Sequence, residues 1–195
     1  MDAKEALIES FCRCAETKHF EEISIKEIYT GAKVSKKTYY NYFETKEDIV
    51  AAVIKRDFQD PFVLVHECFF GDELKKSNVA LREMLFRTFY ARRQLYDPLI
   101  TSLGESRFRD IYATGNLAMS REMYQYEKLE GKLRLEVDFM LHLFARAGVE
   151  AILWWRRTGF QLSIEEMGVL YEEWVLANVS RRPEISILFN ESARR

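Results

Sequence analysis

Lys33, Lys36, Lys37 and Lys46 stand close together with a single acid, Glu44, among them, and Thr38, Tyr40 and Asn41 are interleaved with them. Ammonium and phenol groups at this density suit phosphate oxygens, while lysine, threonine and asparagine side chains are of the kind that hydrogen-bond base edges in a groove. The acids crowd the flanks instead, at Glu21, Glu22, Glu27, Glu47 and Asp48. A formal net charge of −2 therefore conceals a local positive patch. Lysines on a short helix also make a plain solvated face, so the elements that carry them decide between the two readings.

Other chemistry is thinly represented. Cys12, Cys14 and Cys68 are an odd count at no disulfide or zinc spacing, which suits reduced thiols in a reducing compartment. Cys12 and Cys14, two apart on a helix, point to different faces, and His66 and Cys68 fail as a metal pair by the same geometry. With His19 and His142 the only other histidines, no metal is expected. There is no glycine-rich phosphate loop, no Gly-x-Ser-x-Gly and no carboxylate pair distinct from helix-surface charge, so neither catalysis nor a cofactor is expected. Hydrophobic residues make up 48% and charged residues 31%, the balance of a folded soluble chain. No run approaches the roughly 18 apolar residues of a membrane span, and Met1-Asp2-Ala3-Lys4-Glu5 lacks the apolar core of a signal peptide. A cytoplasmic location is the expectation.

The elements read as all-α. Glycine (8) and proline (3) are scarce, and nowhere does β-branched alternation persist as in a strand. Ser24-Ile25-Lys26-Glu27, Thr45-Lys46-Glu47-Asp48 and Ser163-Ile164-Glu165-Glu166 read as capping boxes, and Asp97-Pro98 as a further helix start. Helices are predicted at 3–18, 25–31, 36–42, 46–59, 62–70, 78–95, 98–103, 105–128, 136–158 and 164–180, with a short one at 184–190. Breaks fall at Pro61, at Gly71-Asp72 and at a turn around Gly131. The first three helices are too short to stand alone and must pack as one unit.

That unit has a recognisable layout. Ile25, Ile28, Tyr29 and Ala32 share one apolar face, Val34 plugs a turn, and Ser35 caps a second helix whose Lys36, Lys37, Thr38 and Asn41 face outward. Tyr39 or Tyr42, with Phe43, returns to the core. Two short helices joined in this way are a helix-turn-helix. Over this stretch the chain resembles the TetR/AcrR family of transcriptional regulators, in register and without a gap, at Ser24, Ile28, Ala32, Val34, Ser35, Thr38, Tyr40, Tyr42, Phe43, Lys46 and Glu47. It departs at His19, Lys33 and Lys37, where the family often has glycine, and at Tyr29, where it has alanine. A side chain in a left-handed turn costs on the order of 1 kcal/mol, so either Lys33 is strained or the turn differs slightly from the family's; Lys37 implies an altered operator preference. The resemblance implies phosphate contacts from Ser24, Tyr40 and Lys46 and base-side contacts from Lys36, Lys37, Thr38 and Asn41, within a DNA-binding domain over residues 1–46.

Residues 47–195 are expected to form a helical ligand-binding and dimerisation domain. The resemblance implies that helices 136–158 and 164–180 pair with their copies, through Phe139, Leu143, Ala151, Trp154, Met167, Leu170, Tyr171 and Trp174, into a homodimer on palindromic double-stranded operator DNA. Phe86, Phe89, Tyr90, Phe108 and Tyr112 are numerous enough to line a cavity for an apolar or aromatic ligand, with Tyr90, Tyr112 or His142 as its polar contacts. A ligand-responsive repressor is the reading; the alternative is a regulator or coregulator controlled by a protein partner, marked by a filled core and an exposed patch.

Overall fold

The computed structural model describes residues 2–70, 83–123 and 130–173. Those residues are all-helical: α1 (Ala3–Ala15), a 3-10 turn (Phe20–Glu22), α2 (Ile25–Gly31), α3 (Lys36–Tyr40), α4 (Lys46–Phe70), α5 (Met84–Ala91), α6 (Arg93–Leu103), α7 (Glu105–Met123), α8 (Gly131–Arg157) and α9 (Ile164–Tyr171). The expected helix 184–190, the later part of 164–180 and Trp174 lie outside the described residues.

The capping boxes act as read. Ser24 and Ser163 each accept from the backbone N–H three residues on, and Glu27 and Glu166 cap back. Asp48 does the same for α4, accepting from Thr45 N at 2.7 Å. Two predicted breaks are absent, however. α4 runs through Pro61, because its packing along α5 and α7 outweighs the one backbone hydrogen bond a proline forfeits. Asp97 does not start a helix either; α6 begins at Arg93, so that Leu95, Tyr96, Leu99 and Ile100 bury on one face, with Pro98 inside the helix. The predicted helix 78–95 instead ends at a kink on Arg92, where φ is −107° and ψ 17°. Gly131 does turn the chain, at φ 57°, but as the first residue of α8, which begins five residues earlier than expected (131 against 136).

One core runs from Leu7 and Phe11 of α1 through Ile28, Tyr39 and Phe43 to Phe58, Phe86, Phe89, Tyr96, Phe108, Tyr112 and Trp155. α1 is tied to α4 and α6 by a polar knot. Arg56 reaches Glu5 at 2.9 Å and Asp57 at 3.0 Å, Arg92 lies 3.4 Å from Asp57, and the Tyr96 hydroxyl donates to Asp57 at 2.8 Å. Burial drives the Tyr96 hydroxyl far above its ordinary pKa, so it stays a donor. Cys12 sits beside the two guanidinium groups, yet burial outweighs them and lifts its thiol to about 11, which makes it unreactive.

Candidate nucleic-acid interface

Two caps and one strained residue hold the recognition segment. After α2, the Val34 N–H bonds to the Tyr29 carbonyl and that of Lys33 to Thr30, both at 3.0 Å, closing a Schellman turn with Lys33 at φ 57°. This is the left-handed position foreseen for Lys33. Ser35 then caps α3, accepting from the Thr38 N–H at 3.0 Å and sharing a hydrogen bond with the Thr38 hydroxyl at 2.8 Å.

α3 divides cleanly by face. Tyr39 is fully buried, its hydroxyl donating to the Thr45 carbonyl at 3.1 Å, and Phe43 is buried beside it. Lys36, Lys37, Tyr40 and Asn41 are exposed and Thr38 half-exposed. The Lys36 ammonium stands 5.9 Å from the Tyr40 ring centroid. Tyr42, one of two tyrosines expected to return to the core, is 43% exposed and extends the outer face beside Tyr40. Helical periodicity alone did not separate it from Tyr39; the end of α3 at Tyr40 turns it outward.

Apart from Glu44, which is exposed, the neighbouring acids are occupied elsewhere. Glu27 pairs with Lys18, which, with Ser24, holds its carboxyl down to about 2. Glu22 and Asp48 cap backbone N–H groups, and Glu21 and Glu47 both pair with Arg107 of α7. The lysines of α3 thus face outward while these five acids are turned to structural tasks. Ser24 and Lys46 are engaged too. The Ser24 hydroxyl donates to Glu27 at 2.8 Å, so a phosphate at Ser24 would have to displace a carboxylate. The half-buried Lys46 donates to the Phe20 carbonyl at 2.8 Å with its ammonium 4.5 Å from the Phe20 ring centroid, leaving two N–H donors for another acceptor.

Of the expected ligand contacts, Phe86, Phe89, Phe108 and Tyr112 are brought together inside the body. The rings of Phe89, Phe108 and Tyr112 form a continuous set through Phe58 and Tyr96, with centroids 5.4–6.3 Å apart, and Phe86 joins it through Trp155 and Phe160, whose contacts lie at 5.0–6.4 Å. Tyr90 is half-buried at the edge, against Trp155 and Phe160. His142 is not part of this cluster: it is exposed on α8, its Nδ1 2.8 Å from the Asp138 carbonyl oxygen, because its position falls on the face of α8 turned away from the rings. Missed from the sequence was a polar strip on α7, where Tyr112, Asn116 and Ser120 recur every fourth residue and are all buried. Its spacing was there to be seen.

Among the expected interface residues, Phe139, Leu143, Trp154 and Leu170 are exposed and Ala151 half-buried. Met167 and Tyr171 are placed inside the protomer instead. Met167 is 3% exposed and so forms no part of an outer face, while the half-buried Tyr171 turns its ring inward, meeting Phe86 edge-on at 5.7 Å. Leu135, one turn before Phe139, is 71% exposed and was not anticipated. Among the described residues no helix is long and apolar enough to cross a membrane.

Residues 4–53 match a family described as bacterial regulatory proteins, tetR family. Over 53 residues the chain is 38% identical to the HTH-type transcriptional regulator EthR of Mycolicibacterium smegmatis, a stretch covering 27% of this chain and 24% of that one. The match thus spans about a quarter of that relative's length. A solved structure from Clostridium perfringens, described as a candidate regulator of fatty acid metabolism, aligns with a TM-score of 0.47 at 18% identity, covering 88% of this chain and 97% of its own.

Proposed function

We propose that this chain, whose N-terminal segment matches the tetR family, is a transcriptional regulator that binds a palindromic operator as a homodimer, with α3 of each copy in the major groove. The observation that carries the reading is the split of the recognition segment: Tyr39 and Phe43 bury, Lys36, Lys37, Tyr40 and Asn41 stand outside, and of the nearby acids Glu21, Glu22, Glu27, Glu47 and Asp48 are paired or capping, with Glu44 exposed among the lysines. Lys36, Lys37, Thr38 and Asn41 are assigned to base edges, and Tyr40 and Lys46 to phosphates. Ser24 serves chiefly to cap α2. A cytoplasmic location follows from this role. Residues 1–46 are taken as the DNA-binding unit, although Ile49, Val50 and Val53 of α4 are buried in the same continuous core. Selection of operators from random duplexes, followed by titration in a salt series, tests this: affinity should fall steeply as salt rises, because lysines release counterions from phosphates. Binding that ignores both sequence and salt would refute it.

The body is assigned to a small apolar or aromatic ligand among Phe86, Phe89, Phe108 and Tyr112, oriented by the neutral strip Tyr112, Asn116 and Ser120. Aromatic compounds should then raise the melting temperature and lower operator affinity together, as linkage requires. A second reading, control by a protein partner, is favoured by the ring-to-ring packing of the core and the exposed Leu135, Phe139 and Leu143. A broad panel that leaves both quantities unmoved selects it.

A further inference from the structure

We propose that Arg107 and Ser102 are positioning residues for DNA binding: from the body they grip the Phe20–Glu22 turn on which Lys46 rests, and so fix the attitude of the N-terminal unit. The proposal rests on the DNA-binding reading given above.

Phe20 is the centre of the grip. It is 1% exposed, and every part of it is held. Its N–H donates to the Ser102 hydroxyl oxygen of α6 at 3.0 Å, while that hydroxyl donates onward to the Pro98 carbonyl at 2.8 Å. Its carbonyl accepts from Lys46 at 2.8 Å, and its ring has the Lys46 ammonium at 4.5 Å and the Arg107 guanidinium at 5.7 Å. Arg107 also forks onto two carboxylates from separate segments, Glu21 of the turn at 2.9 Å and Glu47 of the α4 start. The base of the grip is anchored in turn. Glu105, two residues before Arg107, pairs with Arg157 of α8 at 2.8 Å and lies 3.7 Å from Arg156.

Each of these ion pairs is partly exposed, and singly such pairs contribute little to stability. Their value is geometric. A planar guanidinium bridging two segments fixes their relative direction in a way one flexible ammonium does not. The segments it bridges are those that present Lys46.

The proposal predicts the opposite sign from simple charge counting. Glu21 and Glu47 lie near Lys46, so on Coulomb grounds alone their removal should tighten binding to a polyanion. If they serve the grip, Glu21→Gln with Glu47→Gln should instead weaken binding to an operator selected from random DNA by about fivefold or more. Arg107→Gln should lose a similar factor without changing the slope of affinity against salt, since Arg107 touches no phosphate. Combining all three changes should cost no more than either set alone, and Arg107→Lys should recover part of the loss. Tighter or unchanged binding by the double glutamine variant overturns the proposal. A second measurement needs no DNA: Arg107→Gln and Ser102→Ala should each speed hydrogen exchange at the Phe20 amide. Unchanged exchange overturns the grip whatever the DNA result, whereas faster exchange in a protein that binds no operator refutes only the DNA-binding reading.

Discussion

At the scale of single residues, the α3 lysines should separate by what they touch. Lys37 is exposed on α3 and is the residue assigned above to a base edge, and one good base contact is worth about 1–3 kcal/mol of discrimination. Lys37→Ala should therefore change which operators are preferred, whereas Lys46→Ala should weaken all of them about equally and flatten the salt slope. Equal loss on every sequence for Lys37→Ala removes it from the reading set. Glu27 gives a pH prediction. Hydrogen bonds from Lys18 and Ser24 hold its carboxyl down to about 2 from an ordinary 4.5. The folded state thus favours the charged form, and the contribution of Glu27 is complete above pH 4.5 and vanishes as pH falls to about 2. Acid unfolding of Glu27→Gln followed by circular dichroism should be less steep across that window; a curve parallel to wild type contradicts the assignment. Exposure and burial were legible where one face alone decided them, as for Lys36 and Phe43. They were not legible for His142 or Met167, because which face of its helix each occupies is decided by where the other helices pack.

Among the elements, helix starts were readable and helix continuations were not. A capping box is closed by residues three apart, so Ser24 with Glu27 and Ser163 with Glu166 declare themselves locally. Whether a helix survives Pro61, or begins ahead of Asp97-Pro98, depends on what buries Leu95, Tyr96 and the faces of α4, and that is a long-range matter. The two ends closed by left-handed residues make a useful contrast. After α8 the turn is taken by Gly159 at φ 68°, and Phe160 follows at φ 58°, packed edge-on against Trp155 at 5.0 Å, while the Trp155 indole N–H donates to the Leu162 carbonyl at 2.8 Å. After α2 the same turn is taken by Lys33, without the freedom of glycine. Lys33→Gly should consequently stabilise the protein by about 1 kcal/mol, offset in part by the greater entropy of the unfolded chain. In thermal unfolding that is a rise of a few degrees. A lower melting temperature would mean that the aliphatic stem of Lys33 contributes packing beyond its strain.

For the whole molecule, the issue is what covers α8. Leu135, Phe139 and Leu143 are 71, 67 and 56% exposed at successive turns, and Trp154 and Leu170 add 45 and 39% towards α9. Single exposed apolar residues are ordinary, but a row of them on one helix carries a free energy that burial against a partner would recover, at about 25 cal/mol per Å². In the homodimer proposed above a second copy covers it: a two-fold axis would bring the same row against itself, and reading successive major grooves would require the two α3 helices to stand about 34 Å apart, one turn of DNA. The seam beside the row is already fixed within the protomer, where Arg146 pairs with Asp110 at 3.0 Å and Arg109 with Glu150, so α7 and α8 present the row as one rigid surface. Phe139→Glu with Leu143→Glu should then leave the protomer folded, since neither side chain enters its core, yet break the dimer, because unpaired like charges buried at an interface cost about 3–5 kcal/mol each. Sedimentation should show the mass halved, and operator affinity should fall with it as the two half-sites are no longer engaged together. A variant that stays dimeric places the interface on another face, and one that becomes monomeric while keeping full operator affinity would show that α3 does not read DNA in pairs.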